Sequence, residues 1–138
     1  MIGPQHAALI CTVLLLGVTA YFFLGSVPLL LLKHDNPVDA RFIRSFYNTY
    51  YLFALCVASA TAVSYAMAGR PAFATGAALI AMIAWVQRGK VLPMMEQLGA
   101  RIQAEHISAI PEFRAIHKTA IAINLVQLVV VLGSLSAI

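Results

Sequence analysis

Charge is scarce in this sequence. Asp, Glu, Lys and Arg make up 10% of its 138 residues, against about 25% in a typical soluble domain. That is too little to clothe a water-exposed surface. With 62% of the residues hydrophobic, the composition excludes an ordinary soluble domain and favours a single membrane-embedded one. Cysteine is scarce too. Cys11 and Cys56 lie in separate apolar runs, with no CxxC pair and no Cys/His cluster. A disulfide framework has no footing here, and both thiols read as small buried hydrophobes. No Asp, Glu, Lys or Arg falls in the middle of a long apolar run, which argues against active transport, because ion coupling requires a charge in the low-dielectric path. Phosphate-binding glycine loops, GxSxG, HExxH and paired-carboxylate patterns are missing as well, so no catalytic residue is assigned.

Prolines organise what is present. Pro4, Pro37, Pro71 and Pro111 each stand before a long apolar segment, where a missing N–H costs nothing. Asn36 and Asp39 around Pro37 have the spacing of a helix cap. The apolar segments predict four spans at about 6–32, 44–67, 72–91 and 116–136, each long enough for a hydrocarbon core of ~30 Å. Backbone groups in lipid must be satisfied within their own segment, so the expected fold is all-α: one domain, an up-down-up-down four-helix bundle. "MIGPQH", ahead of the first run, has no Lys or Arg, and that run is too long for a signal-peptide core, so it is expected to remain in the mature chain. Pro28, after Gly25 and Ser26, predicts a kink in the first helix. Pro93 predicts a break or bend in the third. Beyond it Met94, Met95, Leu98 and Ile102 recur at helical spacing among polar residues, an amphipathic extension.

The net charge of +4 reads as membrane anchoring, with no nucleic-acid partner expected. Lys33, Arg41 and Arg44 flank the first loop, and Arg88, Lys90, Arg101, Arg114 and Lys118 flank the third. Arg70 alone lies in the second. The positive-inside rule then places loops 33–44 and 87–118 in the cytoplasm and both termini outside. Ala54, Ala58, Ala62 and Ala66 form a small-residue stripe that faces Gly76, Ala77, Ala81 and Ala84 across a tight "AGRP" turn, the composition of a close helix pair in lipid. Tyr47, Tyr50 and Tyr51 fit an interfacial aromatic belt.

The segment "PEFRAIHKTAIAINLVQLVVVL" carries the densest polar pattern. At about 100° per residue, Asn124 lies ~20° round from His117, Gln127 another ~60°, and Arg114 about 60° on the other flank. Arg114, His117, Asn124 and Gln127 therefore descend one face into the bilayer, with Asn48 at comparable depth as a partner. Such a face is either a helix–helix hydrogen-bond seam or a ligand site. Four histidines could serve iron or copper. His6 and His117 are expected at opposite membrane faces and cannot share a metal, whereas His34 and His117 could meet on the inner side. His106 lies in the third loop.

The proline after span three in "VLPMMEQL", the polar segment that follows, Phe113, Arg114 and His117 leading into "NLVQLVVVL", and "RFIRSFYNTYY" at the entry to span two together resemble a bacterial family of uncharacterised four-span membrane proteins. That family is related to the human cisplatin-resistance-associated transmembrane protein. It is similar to a broader copper-resistance-D-like group that includes a four-helix, haem-containing protoporphyrinogen oxidase. The resemblance implies an integral protein of the bacterial inner membrane. It also implies a haem-ligand position at His6, while the aromatic, basic and further histidine residues that follow it in those oxidases have no clear counterpart here. Two functions stand as expectations. One is a non-catalytic membrane protein, either an accessory subunit of a larger complex or homo-oligomer, or a binder of a hydrophobic ligand. The other is a haem- or copper-dependent oxidoreductase using His6, His34 or His117.

Overall fold

The computed structural model describes residues 3–29, 37–104 and 108–136. They form four helices, α1 (Pro4–Leu29), α2 (Pro37–Met67), α3 (Pro71–Gln103) and α4 (Ala109–Leu135), and no strand among the described residues. Each helix is long and apolar enough to cross a membrane. His34, His106, Lys33 and Asn36, together with the Asp39 side chain, lie outside what is described.

Pro4, Pro37 and Pro71 each occupy the first helical position. α4 starts two residues before Pro111, which still sits in the first turn, where an N–H has no intrahelical acceptor to lose. The other two prolines lie inside helices, and the break allowed for at Pro93 does not occur. α1 continues through Pro28 to Leu29, and α3 continues through Pro93 to Gln103. At Pro93 the proline deprives the carbonyl four residues back, that of Gly89, of its N–H partner. Gly89 and Pro93 border a polar recess lined also by Arg44, Asn48 and Arg88, an environment in which a carbonyl need not be buried among apolar groups. The helix therefore tolerates the proline there.

α2 and α3 are joined by a left-handed glycine. Gly69 has φ 72°, the Arg70 amide donates to the Tyr65 carbonyl at 2.9 Å, and the Gly69 amide donates to the Ala66 carbonyl at 3.2 Å. This pair of bonds is a Schellman cap, which satisfies carbonyls at the end of α2 while the chain reverses. The rest of the topology follows from who touches whom. α2 lies against α3 and α1, and α4 closes the ring against α1 and α3, so α2 and α4 face each other across the diagonal. Thr12 near the start of α1 meets Tyr65 near the end of α2, and Ser26 near the end of α1 meets Tyr47. Neighbouring helices are antiparallel.

The core has two unlike halves. At the basic end, which carries every described Lys and Arg except Arg70, large residues fill the centre: Phe22, Ile43, Tyr47, Tyr51 and Phe113 are fully buried. The segment after Pro93 belongs to this half. Met95, Leu98 and Ile102 pack with Ala109 and Phe113, whereas Met94 is exposed. Arg44–Glu96 (3.3 Å) and Arg101–Glu112 (3.0 Å) tie its solvent side. Toward the Arg70 end the core shrinks to Leu15, Ala58, Ile80, Ala81 and Val131. The outer surface carries Leu14, Leu24, Phe53, Val63, Val126 and Val129, all more than half exposed, as befits helices solvated by lipid.

Candidate functional site

His117, Asn124 and Gln127 share one buried face of α4, at 0%, 1% and 5% exposure. His117 is committed to the end of α1. Its Nε2 lies 3.2 Å from the Ser26 carbonyl oxygen and 3.1 Å from Ser26 Oγ. A carbonyl only accepts, so Nε2 carries the proton. Ser26 is fully buried near the Leu29 bound of α1. His117 thus supplies a donor to a backbone carbonyl of α1 that lies away from water. The circuit closes through Tyr47, whose hydroxyl donates to the His117 carbonyl at 3.2 Å. With its one proton so used, Tyr47 accepts from Ser26 Oγ at 3.1 Å. The Tyr47 and His117 rings meet edge to face, centroids 5.4 Å apart.

One turn deeper, Tyr50 crosses the diagonal to α4. Its hydroxyl accepts from Asn124 Nδ2 at 3.1 Å and donates to Gln127 Oε1 at 3.3 Å. Phe22 stacks on Tyr50 with centroids 4.0 Å apart. Asn124 Oδ1, Gln127 Nε2 and the Tyr51 hydroxyl are buried without a partner. Flipping both amides exchanges their roles around Tyr50 and still leaves one carbonyl and one NH2 over. The upper circuit is closed, whereas the lower one keeps spare valence.

The remaining sequence candidates scatter. Arg114 is half-buried on the flank of the face. Asn48 is not the partner of the α4 polar line: its Oδ1 accepts from Arg88 Nε at 3.3 Å, between α2 and α3. Asn48 and Tyr50 sit about 200° apart around the helix, so if Tyr50 faces α4, Asn48 cannot. The aromatic belt is corrected too. Tyr47, Tyr50 and Tyr51 are 0–4% exposed and fill the bundle centre. Ser26 and Phe22 were not singled out as site residues by sequence.

Haem or copper fits these residues poorly. His6 is exposed at the start of α1 and about 30 Å from Ser26 at ~1.5 Å rise per residue, while Ser26 touches His117. The Nε2 of His117 holds a helix carbonyl. Among the described residues no group of three or more His, Cys, Asp or Glu gathers in a ligating arrangement.

The small-residue half of the core leaves a cavity of about 200 Å³ bordered by all four helices. Leu15, Ala77, Ile80 and Val131 supply apolar wall, and Tyr65 stacks on Phe73 at 5.2 Å. Arg70 lies over the same Phe73 ring, 4.4 Å from its centroid. Val130 borders the cavity and is 55% exposed on the outer surface of α4. Fold and site together define a four-helix polytopic membrane protein with a closed polar clamp at one end and an apolar chamber at the other. Comparison with protein-family models, curated proteins and solved structures returns no match for the chain.

Proposed function

We propose that this chain is a non-catalytic protein of a bacterial inner membrane that binds a small lipophilic ligand in the four-helix cavity. The sequence leaves two non-catalytic roles open, complex subunit and ligand binder, and the cavity supports the second. A dry engineered cavity of about 150 Å³ takes up benzene, so about 200 Å³ suits a small substituted ring or the ring end of a longer lipophile. Only the exposed Val130 side of α4 need part for a ligand to enter from the hydrocarbon phase. The upper polar face is better suited to holding helices than to holding a ligand, since His117, Ser26 and Tyr47 engage one another. For orientation the charge asymmetry is the support: Arg70 alone at its end favours the basic end inside and the termini outside.

Native mass spectrometry of the protein released from lipid nanodiscs tests the binding reading. The wild-type protein is expected to retain a lipophilic adduct distinct from phospholipid. Gly76→Leu, which grows into open space since a Cβ there meets nothing within 4 Å, is expected to lose it. Identical bare masses for both proteins would sink the proposal.

A further inference from the structure

The cavity wall is overwhelmingly apolar; four of its residues carry a hydroxyl, and each of those protons is already committed. Thr12 Oγ1 donates to the Ala8 carbonyl at 2.7 Å, Thr61 Oγ1 to the Val57 carbonyl at 2.7 Å, and Ser134 Oγ to the Val131 carbonyl at 2.7 Å. Tyr65 Oη lies 2.8 Å from Thr12 Oγ1. Thr12 has one proton and gives it to Ala8, so the phenol is the donor in that pair. Every lining hydroxyl therefore offers lone pairs and no hydrogen. The rest of the lining is hydrocarbon. Backbone amides do not change this, because those inside the helices are paired and those of the first turn of α3 point along the helix axis, out of the end of the bundle.

We infer that the cavity selects lipophiles that bring their own hydrogen-bond donor. Phenols and alcohols satisfy the Thr12, Thr61 and Tyr65 lone pairs, while shape-matched ethers, ketones and quinones set oxygen against oxygen with no proton between them. A hydroxyl on the ligand thus acts as the recognition element, and the apolar wall acts as the shape filter. This inference rests on the ligand-binding reading of the cavity. It adds the chemical class of the ligand, and it makes a reduced, hydroxylated ring a better occupant than its oxidised, carbonyl-bearing counterpart.

The test uses two probes that differ by one methyl group, para-propylphenol and para-propylanisole, titrated by calorimetry into the full chain in nanodiscs. Affinities are referred to the membrane concentration of each probe so that partitioning cancels. The phenol is expected to bind about tenfold tighter, the factor one ordinary hydrogen bond supplies, and Gly76→Leu is expected to abolish both. Thr12→Val sharpens the result. It removes the acceptor of the Tyr65 proton, so the phenol ring of Tyr65 becomes a donor to the cavity and the preference narrows or reverses. Equal wild-type affinities that Gly76→Leu abolishes would overturn the donor rule and leave the cavity reading standing. Absent saturable binding, or binding that survives Gly76→Leu, would overturn both. The wild-type comparison needs no variant to fold.

Discussion

At the scale of residues, the informative side chain is His117. A histidine in an apolar helix invites a metal or proton-transfer reading, yet its Nε2–H is directed at the Ser26 carbonyl of α1. Replacing it with Leu removes the donor and leaves a buried carbonyl and two hydroxyls to rearrange. Such losses cost about 1–3 kcal/mol in proteins generally, and measured interhelical bonds in lipid average ~0.6 kcal/mol with a maximum near 1.7. His117→Leu should therefore lower unfolding stability by about 1 kcal/mol in a steric-trap or denaturant titration, and a Ser26→Ala/His117→Leu cycle should return a smaller coupling, since Ser26→Ala removes only the Oγ contact and leaves the carbonyl bond in place. An unchanged stability in His117→Leu would show that the carbonyl bond contributes nothing. The α4 half of this network can be read from sequence, because 100° per residue puts His117, Asn124 and Gln127 on one face without any knowledge of neighbours. The α2 half cannot. Tyr47 and Tyr50 look alike in a belt and in a core, and which face of α2 turns inward depends on where α1 and α4 lie.

Among the elements, α1 and α2 leave no room at Gly25 near the basic end. A Cβ on Gly25 would come 2.7 Å from the tip of the Phe46 ring, which is itself stacked on Phe22 with centroids 5.6 Å apart. Gly25→Ala should destabilise the bundle by about 1–3 kcal/mol, as overpacking does. Adding Phe46→Leu should cost less than the two separate effects combined, since the shorter side chain vacates the contact. A double variant whose losses simply add would refute this account of the glycine. The small-residue stripe of α2 shows how far periodicity carries. Ala54 and Ala58 are fully buried, but Ala62 is half-buried and Ala66 exposed, and Thr61 and Tyr65 take over the inward face. A strict four-residue repeat drifts about 40° per step against a 3.6-residue helix, so the stripe walks off the seam. Pro93 reads as a break or bend when only its lost hydrogen bond is considered; the helix does not break there, and Gly89, whose carbonyl loses the partner, borders a polar recess.

For the whole molecule, four helices long and apolar enough to span a membrane were legible from composition and proline spacing, because lipid leaves few backbone solutions. The cavity was not legible. It arises where small residues on four separate helices meet at one level, and no single helix records that. Sidedness gives a prediction at this scale. In a background with Cys11 and Cys56 replaced by Ser, Arg70→Cys should react with a membrane-impermeant thiol reagent added to intact cells, and Lys90→Cys should react only after lysis. The opposite pattern would invert the assignment.

The central claim is a division of labour: the His117 clamp holds the bundle and the Gly76 cavity binds. Thermal unfolding of the purified wild-type protein, His117→Leu and Gly76→Leu, each with and without para-propylphenol, tests it most directly. The account predicts that His117→Leu unfolds at a lower temperature but keeps the ligand-induced upward shift. Gly76→Leu should keep the wild-type midpoint within a few degrees and lose the shift. A ligand shift that disappears with His117 and persists in Gly76→Leu would contradict it.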